Sequence, residues 1–169
     1  ELPTSIPEIR EHFDNPASLV SRLLAQINDE RIFDFAFKQA KNCVLLDVGA
    51  NIGLVSLYAS DVCRQIVALE PTSQIELLKI LCQPCPNVTP MKVALAGHNG
   101  TAAFYVNDIN TTAGSMSQTY GTPTMVPTIT LSTLLKQMNL PRVDIAKVDI
   151  EGSELEALTP LELDRCKRV

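Results

Sequence analysis

Residues 45–56, LLDVGANIGLVS, join an apolar run to an amphipathic stretch through a glycine-bearing break. The run 44–48 carries one acid, Asp47, and then gives way to Gly49-Ala50-Asn51-Ile52-Gly53. Leu54, Val55, Leu57 and Tyr58 follow at helical spacing. This order predicts a strand, a tight turn and a helix start, the place where open α/β sheets bind nucleotide-like ligands. Gly49 and Gly53 let the backbone come close to a ligand where a side chain would clash. A dinucleotide fingerprint requires G-x-G-x-x-G, yet the position two after Gly49 is Asn51. Asp47, two residues before the first Gly, also repels a pyrophosphate. A ligand with an ammonium, a sulfonium and no phosphate tolerates that acid. S-adenosylmethionine is such a ligand.

The chain has 169 residues, 46% of them hydrophobic, which suits a globular domain with a real core. The pattern divides it into an N-terminal arm with helices over 1–40 and a ligand-binding domain over 41–169. Net charge is -5 and no Lys/Arg block stands out, so the sequence speaks against a nucleic-acid substrate. No apolar run approaches the ~20 residues of a membrane span, so no membrane partner is expected either. A small molecule or a sugar fits better. Five cysteines scattered through α/β patterning read as reduced thiols and predict a cytoplasmic chain. Cys82 and Cys85 form the one close pair, without the further ligands that a zinc site needs, and no metal is expected. Asn87, Asn99 and Asn110 lie in glycosylation sequons, a pattern frequent by chance.

Along the chain, helical spacing is expected over 16–27 and 29–40, a first strand over 43–48 and a helix over 53–63. A second strand over 65–69 ends in Glu70-Pro71, and Thr72 is the expected N-cap of a helix over 73–82. Residues 88–95 read as a third strand interrupted by Pro90. Segments 102–106 and 126–130 read as an antiparallel pair around a long polar loop, 107–125. A helix over 131–138, a fourth strand over 143–150 and a last helix after Gly152 complete the pattern. The fold class is therefore α/β: a doubly wound, mostly parallel sheet with helices on both faces and a small antiparallel β insertion.

In such a sheet the carboxyl ends of adjacent strands face one crevice. Asp47, Glu70 and the pair Asp149/Glu151 all stand at such ends. Glu70 lies one β-α-β step after Asp47, where a carboxylate accepts hydrogen bonds from two ribose hydroxyls. Asp47 is read both as a buried acid bonded to the Gly-loop amides and as a partner for the methionine ammonium, reached directly or through water. Lys147 and Asp149 share one face of the fourth strand. There Lys147 holds Asp149 ionised, steers an anionic group, or neutralises a buried charge.

Two blocks, VLLDVGANIGLVSLYAS over 44–60 and VDIAKVDIEGSELEAL over 143–158, resemble the FkbM family of S-adenosylmethionine-dependent methyltransferases. The second is similar to that family's Asp-x-x-Lys-x-Asp-x-Glu-Gly-x-Glu signature, here Asp144, Lys147, Asp149, Glu151, Gly152 and Glu154. VALEP over 67–71, VALAG over 93–97 with Gly100, and ITLSTLL over 129–135 support it. The family usually has an acid where this chain has Ser132, so only a helix-capping role is expected there. The resemblance implies a Rossmann-like class I fold and a methyltransferase, with O-methylation of a hydroxyl on a small molecule or sugar as the default. By position, Asp47, Gly49, Ala50, Asn51 and Gly53 would frame the methionine end of the cofactor. Glu70 would bind the ribose, Pro71 and Thr72 would lie against the adenine, and Ala94 and Leu95 would form its wall. Asp149, with Lys147 and Glu151, would stand beside the transferring methyl.

Class I methyltransferases usually carry seven strands, and by motif count this chain reaches only the first residues of a fifth at 167–169. It therefore reads as a piece of a longer protein, or as a chain whose fourth-strand edge is covered. Self-association through that edge, giving a homo-oligomer, is the expectation. Two rivals remain at the level of sequence: a non-catalytic scaffold that binds S-adenosylmethionine or a nucleotide, and an NAD-dependent oxidoreductase, which Asn51 weakens.

Overall fold

The computed structural model describes residues 41–106, 114–115, 122–150, 157–158 and 163–169. The arm and helices expected over 1–40, Glu151, Gly152, Glu154 and most of the last helix lie outside the described residues. The described elements run β1 (Cys43–Val48), α1 (Leu54–Ala59), β2 (Cys63–Leu69), α2 (Gln74–Leu81), β3 (Val88–Met91) and β4 (Ala94–Leu95). They continue with β5 (Gly100–Val106), β6 (Gly114–Ser115), β7 (Thr122–Ile129), α3 (Leu131–Gln137) and β8 (Ile145–Val148).

Among the described residues two four-stranded sheets form, in the orders β3-β2-β1-β8 and β4-β7-β5-β6. The first is parallel throughout, with Asp47 opposite Ala68 on one side and Lys147 on the other. In the second, β4 runs parallel to β7, and β5 is antiparallel to both β7 and β6. The mostly parallel α/β class with an antiparallel insertion is thus what the chain adopts.

Alternation along β1 explains why helices pack on both faces. Val44, Leu46 and Val48 join Val67, Leu69 and Ala146 in one cluster with Leu131, Leu134 and Leu135 of α3. Ala68 points the other way, into a cluster with Ile75 and Leu78 of α2 and Cys82. Every residue of β1 is buried.

Several sequence expectations are corrected. The single strand expected over 88–95 is two strands in two sheets, β3 and β4. Pro90 does not interrupt β3 but pairs opposite Ala68. That is tolerated because β3 is an edge strand, where a missing N–H costs no ladder bond on its open side. Residues 122–125, expected as loop, belong to β7. The helix expected to run to residue 63 ends at Ala59, and Cys63 instead opens β2. Thr130, not Ser132, caps α3: its hydroxyl accepts from the Thr133 N–H at 3.2 Å.

The fifth-strand residues also find a place. The Val143 N–H donates to Arg165 O at 3.0 Å, and the Ala146 N–H to Arg168 O at 2.9 Å. A parallel bridge joins Val143 to Cys166. Residues 165–168 therefore cover the first half of the β8 edge.

Candidate functional site at the carboxyl ends of the parallel strands

The Gly loop between β1 and α1 has three residues in the left-handed region: Gly49 (φ 70), Asn51 (φ 52) and Gly53 (φ 88). Asn is the non-glycine residue that adopts this conformation most readily. A Cβ on Gly49 would overlap the carbonyl oxygen of Asp149, so the loop lies directly against the chain leaving β8. A Cβ on Gly53 would fall 2.7 Å from Leu78 Cγ, where α2 packs under the loop.

The amides of this loop are spent within the protein. The Gly49 and Ala50 N–H groups both donate to Leu69 O, at 3.0 and 2.9 Å, and the Gly53 N–H to Ala50 O at 2.8 Å. The Asn51 N–H donates to Glu70 Oε2 at 2.9 Å. Glu70, 6% exposed, also accepts through Oε1 from the Thr72 N–H at 2.9 Å and the Thr72 hydroxyl at 2.6 Å. It thus ties the end of β2 to both the Gly loop and the approach to α2. Thr72 in turn accepts from the Gln74 N–H at 3.2 Å, a capping bond one residue before the N-cap position held by Ser73.

Asp47 is fully enclosed. Its Oδ2 accepts from the Ser56 hydroxyl at 2.7 Å, while Oδ1 has no hydrogen-bond partner among the described residues. The Gly-loop amides do not bond it, contrary to one of the two sequence readings; they turn to Leu69 and Glu70. Ser56 was missed at the sequence level, although a serine on the inward face of a short helix nine residues after the acid was a usable signal.

Lys147 fills the space between the acids. Its Nζ donates to Gly49 O at 2.8 Å and Val48 O at 3.4 Å, and lies 3.5 Å from Asp47 Oδ1 and 3.6 Å from Asp149 Oδ2. The predicted sharing of a face by Lys147 and Asp149 is what the strand provides. The two differ in exposure, 16% for the lysine side chain and 66% for the aspartate.

Asp47, Gly49, Ala50, Asn51, Gly53, Glu70, Pro71, Thr72, Lys147 and Asp149 therefore gather at one end of the sheet. Ala94 and Leu95 do not end strand three, as expected; they form β4, paired with Thr128 and Ile129, and are 6% and 1% exposed. Glu151 lies outside the described residues. No group of three or more potential metal ligands occurs among the described residues, nor does a helix long and apolar enough to cross a membrane. The Asn87 amide nitrogen donates to the carbonyls of Ser60 and Cys63, at 2.8 and 2.7 Å. That of Asn99 donates to the Thr133 hydroxyl at 3.0 Å. Both sequon asparagines thus serve as structural clamps; Asn110 lies outside the described residues.

Comparison with known proteins bears on the same region. Residues 47–169 match the model of the methyltransferase FkbM domain. The chain is 31% identical over 117 residues to the hexuronic acid methyltransferase AglP of Haloferax volcanii, an alignment covering 68% of this chain and 48% of that protein. It thus spans about half the length of that curated relative. Among solved structures it is similar to precorrin 8w decarboxylase of Methanobacterium thermoautotrophicum, with a TM-score of 0.49 and 21% identity. That match covers 82% of this chain and 56% of the other, at a score too low to bear on function.

Proposed function

Because the chain belongs to the FkbM methyltransferase family, we propose that it transfers the methyl group of S-adenosylmethionine to a hydroxyl of a sugar or small molecule. The observation that carries this reading is the state of the Gly loop. Four of its amides, those of Gly49, Ala50, Asn51 and Gly53, already donate to protein acceptors. A pyrophosphate needs bare donors at such a loop, so a phosphate-bearing cofactor is a poor match. The charge balance points the same way. Three carboxylates, Asp47, Glu70 and Asp149, meet one ammonium, Lys147, which favours a cationic ligand.

S-adenosylmethionine, when bound, supplies an electrophilic methyl on its sulfonium. Glu70 faces the ribose and accepts from one hydroxyl rather than two. Three of its roughly four acceptor positions are filled by Asn51 and Thr72. The Asn51 side chain, half-buried at the loop crest, donates to the methionine carboxylate. Thr72, half-buried, borders the adenine with Pro71 before it; its exposure suits that role better than that of Ala94 and Leu95, whose side chains are enclosed, as Pro71 also is. Asp47, also enclosed, acts on the methionine ammonium through its field rather than by contact. Asp149 is the exposed acid, and it removes the proton of the acceptor hydroxyl as the oxygen attacks in line. Glu151, two positions after Asp149 in the sequence, is proposed as a second acid.

The name of the Haloferax volcanii relative, a hexuronic acid methyltransferase, makes hexuronic acids the first acceptors to test, beside neutral sugars. The clamping roles of Asn87 and Asn99 accord with a cytoplasmic chain. Calorimetry with S-adenosylhomocysteine and with NAD tests the cofactor: micromolar binding of the first and none of the second is expected. NAD binding, or binding of neither, overturns the reading. Binding without turnover on any acceptor would instead favour the non-catalytic scaffold.

A further inference from the structure

Cys43 opens β1 and Cys63 opens β2, and the two are register partners in the parallel ladder. Both are 5% exposed. Their sulfurs lie 2.7 Å apart, close to the ~2.05 Å of a disulfide bond. Neighbouring strands stand ~4.8 Å apart, within the ~4.4–6.8 Å that a disulfide spans between Cα atoms. Closing this bond therefore asks for side-chain rotation and no rearrangement of the sheet. The ladder is irregular here, with a register shift between Cys43 and Val44, and the preceding Asn42 is exposed at φ 59. Strand ends open more readily than strand interiors, which gives a small oxidant its access.

We propose that Cys43 and Cys63 are a covalent modification site, a dithiol that a low-molecular-weight disulfide such as oxidised glutathione converts into an intrachain disulfide joining β1 to β2. The thiolate of one cysteine attacks the glutathione disulfide, forming a mixed disulfide and releasing one glutathione thiolate. The second cysteine, as its thiolate, attacks the protein sulfur of that mixed disulfide and releases the second glutathione. Two protein thiols lose two protons and two electrons, and the glutathione disulfide is reduced to two thiols. Burial, together with the Cys43 thiol beside it, pushes the Cys63 thiol well up from its ordinary range, so little thiolate is present near neutrality. The exchange is accordingly slow and speeds up as pH rises.

The crosslink closes the segment that holds β1, the Gly loop and α1. It does so at the end of the sheet opposite Asp47, Glu70 and Asp149. It therefore stiffens the unit that carries the site without entering it, and it does not depend on the proposed methyl transfer.

The test incubates the reduced protein with excess oxidised glutathione at pH 8 until the loss of thiols reaches a plateau. Alkylation, proteolysis and mass spectrometry follow. The expected product is a peptide pair joined through Cys43 and Cys63, abolished in Cys43→Ser and in Cys63→Ser. The oxidised protein should melt on the order of 5–10 °C higher than the reduced form, reversibly on adding dithiothreitol. Recovery of both residues as alkylated thiols at the plateau would overturn the proposal. So would their recovery as stable glutathione adducts, or joined to Cys82, Cys85 or Cys166.

Discussion

The Lys147 ammonium donates to the carbonyl oxygen of Gly49 at 2.8 Å while standing 3.5 Å from the enclosed Asp47 carboxylate. One side chain of β8 thus fastens the Gly loop and neutralises the acid beneath it. This favours the charge-neutralising reading of Lys147 over one in which it steers a substrate. Lys147→Met strands the Asp47 charge in the interior and should cost about 3 kcal/mol or more in chemical denaturation. Asp47→Asn in the same chain should restore part of that loss, so that the double variant is more stable than the sum of the single effects implies. Full additivity would mean that the two side chains act separately.

Gly49 cannot accept a side chain at its φ of 70 without meeting the Asp149 carbonyl. Gly49→Ala should therefore lose about 2 kcal/mol or more. The melting temperature should fall by ~4–8 °C, and the drop should be measurable by circular dichroism. A Gly49→Ala protein that melts with the parent would mean that the loop and the β8 exit do not touch.

Glu70 serves the loop and the proposed ribose at once. Glu70→Ala should weaken S-adenosylhomocysteine binding by about tenfold or more, the loss of a charge-assisted hydrogen bond. Thr72→Ala leaves the carboxylate in place and removes one of its donors, so its binding loss should be smaller. Equal losses would assign Glu70 to holding the loop alone.

Asp144 accepts from Lys167 and from the Val44 N–H, the latter at 2.9 Å. The Lys167 hydrogen bond, then that of Val44, lowers its carboxyl below the ordinary value of 3.8. A depressed folded-state value adds stability that is fully present above the unfolded value. That stability fades as pH falls through the folded one. Melting temperature should therefore decline below pH ~4, and part of the decline should vanish in Asp144→Asn. An unchanged acid limb would remove Asp144 from the acid sensitivity of the fold.

We propose weak self-association through the β8 edge, weak because, among the described residues, 165–168 already pair with its first half. Sedimentation at about 50 µM should detect dimer that dissociates on dilution. A monomer at that concentration sinks the expectation.

What the sequence made legible was local. The strand, Gly turn and helix of 44–59 follow from periodicity and glycine placement, and the acids ending successive strands follow from counting. The division of 88–95 between two sheets was not legible, because the pairing of Ala94 with Thr128 decides it across a long span of chain. Nor was the capping of α3 by Thr130, which depends on its extended backbone, φ -79 and ψ 153, rather than on residue type alone. The meeting of Cys43 with Cys63 depends on strand register, which neither residue announces. Residue type also left open where the loop amides and Asp47 would turn, since those bonds depend on β2 and β8 arriving alongside.

The burial of β1 between two parallel neighbours reaches into kinetics. Both of its hydrogen-bonding edges are occupied, so its amide protons can exchange with solvent only when β2 or β8 separates from it. The Gly loop therefore hangs from a strand that is held on both edges. A ligand arriving there meets a surface that is already ordered, and little of its binding free energy is consumed in freezing that loop.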